Sequence, residues 1–225
     1  MPRLVKRLKL TSILDIEGPE SPTERALIST GESMIARKGV DGVALNEIAY
    51  SAGQANKSAV QYYFKNLDGL INAIFRMRLR SEKKRRAQLL RLARDRDLLS
   101  NLRTLLEILY LSVAEQVDAD RNHSYARFLM CFLAHPAYGY ARHPSINPPA
   151  DDPLHELLEL LDPLTRLSRT SMIRRLTMES YTFYGYLLER DNALAAREPA
   201  PALTRVVDEA LLGITASLLT PDEGR

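Results

Sequence analysis

The chain has 225 residues, 45% of them hydrophobic and 26% charged, with 31 Lys and Arg against 28 Asp and Glu for a net charge of +3; this balance excludes a disordered or collagen-like polypeptide and suits one large or two small globular domains. No apolar run approaches the roughly 18–20 residues needed to span a bilayer, and the opening MPRLVKRLKLTSILDIEGPE lacks a continuous apolar core and a small-residue cleavage site, so a cytoplasmic protein without a signal peptide is expected. The small net charge conceals an asymmetry: residues 1–97 hold 19 Lys and Arg against 11 Asp and Glu, whereas residues 98–225 hold 12 against 17, which either marks the first part as the one that meets a polyanion or reflects a solvated run of cations on one long helix.

With 37 leucines and hardly any period-2 alternation, the chain reads as all-α. Residues 1–20 form a basic extension, read as a flexible arm in preference to an amphipathic segment of Leu4, Val5, Leu8, Ile13 and Leu14 docked on the body. Ser21-Pro22-Thr23-Glu24 is a helix start, with Ser at the N-cap, Pro at the first position and Glu three residues after the cap; the helix should end at Gly39. Two short helices follow, over 45–52 and 56–63, separated by Gly53, the second behind a capping Asn56. A long helix over 67–94 packs Leu70, Ile71, Ile74 and Phe75 inward and turns Arg76, Arg78, Arg80, Lys83, Lys84, Arg85 and Arg86 outward. Further helices are predicted from Leu98 to Val117 and over 122–135, 154–167 (bent or interrupted at Pro163), 169–190 and 202–219. Five prolines between Pro136 and Pro153 demand a long loop, of the kind that is functional or disordered. Cys131 is alone, so there is no internal disulfide, and its neighbours make it a small core hydrophobe.

Two short helices joined by a glycine-bearing turn, between an upstream helix and a long downstream one, form a helix-turn-helix pattern. Ala49 is small enough to let the second helix cross close by, Gly53 suits a left-handed turn, and Ile48 and Val60 supply the apolar contact. Asn56, Lys57, Ser58, Gln61 and Tyr62 then face outward, all hydrogen-bonding types able to reach base edges or phosphates. The stretch from Thr23-Glu24-Arg25 through Gly39-Val40-Asp41-Gly42-Val43-Ala44-Leu45-Asn46-Glu47-Ile48-Ala49, Ala52-Gly53, Asn56 to Phe64 and Asp68-Gly69-Leu70 resembles the tetracycline-repressor (TetR) family of transcriptional regulators over about 50 residues. The resemblance implies a three-helix DNA-binding domain over 21–66, a linking helix over 67–94 and a ligand-binding and dimerisation domain over 67–225. It places Lys57, Tyr62 and Lys65 at phosphates and Asn56, Ser58 and Gln61 nearer the bases. Tyr63 is balanced between core and surface, and Phe64 is core. The chain departs from the family in a turn one residue longer at Gln54-Ala55, in Ala44 where a Ser or Thr commonly caps, which leaves that contact to backbone N–H groups or Asn46, and in Leu67 where a Lys is frequent.

The same resemblance implies a repressor released from a palindromic operator by an unknown small-molecule effector, and a homodimer formed by the last two helices. Leu102, Leu106, Leu109, Phe128, Phe132, Tyr181 and Tyr184 are candidate cavity walls, with Arg127 and His135 as candidate polar groups. The apolar residues Ile173, Leu176, Tyr184, Leu187, Val206, Val207, Ala210, Leu211, Ile214 and Leu218 are too numerous on two helices for a small domain to hide, so they are expected at the dimer interface, with Ala210 and Gly213 permitting close approach. No cofactor or metal is expected: His155-Glu156-Leu157-Leu158-Glu159 has a Glu where a zinc-protease helix carries its second His. A helical protein–protein adaptor and, less so, an all-helical enzyme are the alternatives.

Overall fold

A computed structural model of the chain describes Leu4, residues 8–56 and residues 58–222. The protein is all-α: among the described residues there are nine α-helices and one two-residue parallel bridge. Helix α1 (Pro22–Lys38) starts on its expected cap, with Ser21 Oγ accepting from the Glu24 N–H at 3.2 Å, and ends at Gly39 with φ 77°. Then come α2 (Leu45–Ser51), α3 (Ala59–Phe64) and α4 (Leu67–Arg94), the last capped by Asn66, whose Oδ1 accepts from the Gly69 N–H at 2.8 Å. Helix α5 (Leu102–Ala114) is shorter than its apolar periodicity suggested: the Asn101 side chain caps it, and Val117 belongs to a strand instead. Helices α6 (Ser124–Ala134), α7 (Pro153–Thr165), α8 (Arg169–Ala195) and α9 (Leu203–Leu219) complete the chain. Pro163 does not interrupt α7; it sits in the last turn, where its missing N–H removes only one bond near the helix end. No helix among the described residues is long and apolar enough to cross a membrane.

The fold divides into two compact units, one of Leu10–Ser81 with Gln116–Pro144, the other of Met1–Lys9, Glu82–Glu115 and Ser145–Arg225. This grouping does not follow a division at residue 66, because α6 packs along α1 and so joins α1–α3 and the first half of α4. In the first unit α1 also packs on α2, and α2 on α3. At Gly31 of α1 the side chain of Leu70 on α4 comes close: a Cβ there would lie 2.7 Å from Leu70 Cδ2. Strand β1 (Thr11–Ser12) pairs in parallel with β2 (Gln116–Val117), Thr11 opposite Gln116, and Ile13 and Ile16 are buried behind it. Leu4 is buried in the second unit, where its N–H donates to Glu107 Oε2 at 2.6 Å. The described part of the extension is therefore docked and not a free arm, although Leu14 stays exposed and Val5 lies outside the described residues.

A buried polar hub holds the first unit together. Arg78 of α4, fully buried, donates from Nε and Nη2 to the two carboxylate oxygens of Glu32 on α1, at 2.6 and 2.5 Å. Ser124 Oγ of α6 donates to Glu32 Oε1 at 2.6 Å, Gln116 Oε1 accepts from Arg78 Nη1 at 3.4 Å, and the guanidinium lies over the Tyr125 ring. In the second unit α5 packs on α7 and α9, and α8 on α9, around Tyr110, whose hydroxyl donates to the Leu176 carbonyl and whose ring meets Phe183 at 4.6 Å.

The expected outward row of cations on α4 faces outward only in part. Arg78 and Arg86 are buried, Arg80 is paired with Glu20 at 2.6 Å, and Arg85 with Glu115 at 2.6 Å. The Arg80 guanidinium holds the Glu20 carboxyl below its usual range, while burial pushes Glu115 up. Arg76, Lys83 and Lys84 are exposed, Lys83 within 3.5 Å of Asp152.

Candidate functional site

Helix α2 opens at Ala44 without a side-chain cap; instead the exposed Asn46 folds its Oδ1 back onto the Glu47 N–H at 2.9 Å. Glu47 also pairs with Lys38 of α1. Ile48 and Ala49 are fully buried, as are Val60 and, nearly so, Phe64 on α3. Between the helices Gly53 adopts φ 70° with open space around it, the left-handed geometry that a residue with a Cβ adopts only at a cost. The Gln54 N–H donates to the Ala49 carbonyl at 3.0 Å, closing the end of α2.

Helix α3 begins three residues later than its sequence suggested. Asn56 does not start the helix: its Oδ1 accepts from the Ser58 N–H at 2.9 Å and its carbonyl from the Ala59 N–H at 3.0 Å, a local Asx turn that competes with helical bonding. Asn56 and Ser58 therefore stand, exposed, on the approach to the helix, while Gln61 and Tyr62 stand on it, Tyr62 81% exposed. Lys57 lies outside the described residues. Lys65 is exposed at the exit of α3, with φ 69° and its N–H on the Gln61 carbonyl. Tyr63 is surface, its ring edge-on to Tyr62 at 5.1 Å, and Phe64 is core. Tyr50, 78% exposed and one turn beyond Asn46 on α2, extends this hydrogen-bonding surface. The sequence signal for it was its i+4 spacing from Asn46, opposite the buried Ile48 and Ala49.

The eight candidate cavity residues other than His135 are divided between the two units. Leu102, Leu106, Leu109, Tyr181 and Tyr184 belong to one unit, and Arg127, Phe128 and Phe132 to the other. Leu106 and Phe128 are fully buried, and Phe128 packs on Phe75 at 5.3 Å as ordinary core. Tyr184 is buried too, and that burial pushes its hydroxyl well above the usual phenol range. A cavity of about 200 Å³ does open in the first unit, lined by Asp68, Ile71, Asn72, Phe75, Phe132, Tyr138 and Arg142. Phe132 alone among the eight lines it. The loop after α6 supplies one wall: Tyr138 donates its hydroxyl to Asp68 Oδ1 at 2.5 Å, and Arg142 lies over the Tyr138 ring. His135 does not enter this cavity. Its Nδ1 accepts from the Ala137 N–H, which leaves Nε2 to donate to Asp41 at 3.0 Å. The signal for this wall was the proline-rich loop, of which 136–143 are folded onto α4 and α6 through Tyr138 and His143. Cys131 is half-buried, and burial pushes its thiol up, as befits an unreactive side chain.

The residues expected to meet a second copy are instead covered within the chain. Leu187, Val206, Val207, Ala210, Leu211, Ile214 and Leu218 are buried by the packing of α8 on α9 and of α9 on α5; Leu176 and Tyr184 are nearly so, and only Ile173 is half-exposed. Facing solvent on the same helices are Met178 (55%), Tyr186, Leu212 (62%) and Leu219, with Gly185 and Gly213 in open space. No family model matches the chain, and no curated protein matches it in sequence.

Proposed function

We propose that the chain is a sequence-specific DNA-binding regulator of the TetR kind, a homodimeric repressor released from a palindromic operator by a small molecule. The observation that carries this reading is the division of residues across α2 and α3. Ile48, Ala49, Val60 and Phe64 are buried, while Asn46, Asn56, Ser58, Gln61, Tyr62 and Lys65, six donors or acceptors within 20 residues, all face solvent. An ordinary helical hairpin has no need of so dense a hydrogen-bonding surface. Gln61 is suited to adenine and Lys65 to a phosphate; Tyr50 joins Tyr62 as a phosphate donor. Selection from random duplexes followed by mobility shift tests the function. Recovered sites should be inverted repeats with half-site centres roughly 34–36 Å apart or somewhat more. Lys65→Ala should weaken all duplexes alike and lower the salt slope by roughly 1 for each phosphate left without its cation. Gln61→Ala should relax one base pair per half-site at a cost of roughly 1–3 kcal/mol. Equal affinity for every duplex would remove the proposal.

The dimer reading rests on the exposed apolar face of α8 and α9. Met178, Tyr186, Leu212 and Leu219 are exposed on these two helices, and nothing crowds an approach at Gly185 or Gly213. Leu212→Arg, a change on an exposed side chain, should leave the monomer folded and shift sedimentation at micromolar concentration from dimer to monomer. Val207→Arg should unfold the chain instead, because Val207 is fully buried.

A further inference from the structure

The cavity on the first half of α4 carries a chemistry of its own. Its floor is apolar and aromatic: Phe75 and Phe132 meet edge to face at 4.8 Å. Its wall carries one anion and one cation, Asp68 and Arg142, and Tyr138 touches both, its hydroxyl on the carboxylate and its ring under the guanidinium at 5.9 Å. Asn72 adds an exposed amide at the mouth. We propose that this cavity binds a free α-amino acid with an apolar or aromatic side chain, its ammonium on Asp68, its carboxylate on Arg142 and its side chain on the Phe75–Phe132 floor. The argument is one of charge and size. A simple cation would be drawn to Asp68 but repelled by Arg142, and a simple anion the reverse; a zwitterion satisfies both. Asp68 uses one of its acceptor sites on Tyr138 and keeps others for an ammonium, and a guanidinium lying over a ring keeps its N–H donors for a carboxylate. Burial, chiefly, pushes the Tyr138 phenol up to about 12, so it stays a donor and Asp68 stays the acceptor. An apolar cavity of about 150 Å³ takes benzene; one of about 200 Å³ has room for such a ring and a small polar head.

As an effector site this inference rests on the regulator reading, but as a binding site it does not, and its test contains no DNA. Calorimetric titration of the full chain with L-phenylalanine should give saturable binding, one ligand per chain, with a Kd at or below about 1 mM, the range that ligand efficiency sets for a dozen heavy atoms. Phenethylamine and phenylacetate, each lacking one charge, should bind at least about tenfold more weakly. Asp68→Asn and Arg142→Gln, both at exposed positions, should each cost about tenfold or more. Asn72→Trp, which fills the mouth from outside the core, should abolish binding while leaving the melting temperature unchanged. Absence of saturable binding by the folded chain overturns the proposal. So does binding indifferent to Asp68 and Arg142, or phenethylamine binding as tightly as phenylalanine. A chain that binds phenylalanine but discriminates no duplex loses the regulator reading and keeps this site.

Discussion

Arg78→Met is expected to destabilise the chain by about 3–5 kcal/mol, because it leaves the Glu32 carboxylate buried without its bidentate partner. For a chain of this length each kcal/mol is worth about 2–4 °C, so the melting temperature should fall by roughly 6–20 °C. Glu32→Leu alone should cost a similar amount, since it strands the guanidinium. The double substitution should recover much of the loss, as hydrophobic replacement of a buried pair often does. The recovery distinguishes a pair that specifies how α1, α4 and α6 meet from one that supplies net stability. Calorimetry of the four proteins decides between them: additive losses in the double variant would show that the two side chains act through other contacts.

Residue type points Arg78 outward, and helical phase points it inward. Ile71, Phe75, Arg78, Glu82, Arg86, Leu89 and Ala93 follow one another at three- and four-residue steps, and all are buried. The inward stripe of α4 was legible in the spacing of its first turns, and it continues unbroken through three charged residues. Phase prevailed because Glu32 lies opposite Arg78, while Arg86 donates to Ser112 Oγ at 3.2 Å and to Glu82 at 2.9 Å. Helix ends were legible at Ser21 and Gly39, where the signal is local, but not at α5, where the apolar spacing that begins at Leu98 masks the Asn101 cap. What was not legible was long-range: Thr11 pairing with Gln116, α6 lying on α1, Leu4 bonding Glu107. No local spacing encodes those.

The candidate site divides in the same way. Burial of Ile48, Ala49, Val60 and Phe64 and exposure of Gln61 and Tyr62 follow from helical phase alone. The start of α3 does not, since Asn56 can cap a helix or close an Asx turn, and here it does the latter. On α8 and α9 the sequence correctly marked apolar stripes, but a stripe does not say whether its cover is the neighbouring helix or a second copy. Leu211 and Leu212 are adjacent and equally apolar, yet one is fully buried and the other 62% exposed.

His143 should make stability fall with acid. Its ring packs against Phe75 at 5.0 Å and Phe132 at 6.2 Å, and this burial pushes its pKa from 6.5 down to about 4. In the unfolded chain the imidazole takes up a proton near pH 6.5, whereas in the folded chain it resists until about pH 4. Between those values the unfolded state binds more protons, so the contribution of His143 is complete above pH 6.5 and is lost as pH falls towards 4. The full shift would correspond to about 3 kcal/mol; since the ring keeps part of its surface in water, about 2 kcal/mol is expected. His143→Phe keeps a ring against the same two aromatic neighbours and removes the titration. Urea unfolding of both proteins at intervals from pH 7 to pH 4 should therefore give curves that separate progressively below pH 6.5, the wild-type chain losing about 2 kcal/mol more than the variant. Curves that stay parallel over that range would mean that His143 takes up its proton in place, without leaving the Phe75–Phe132 cluster.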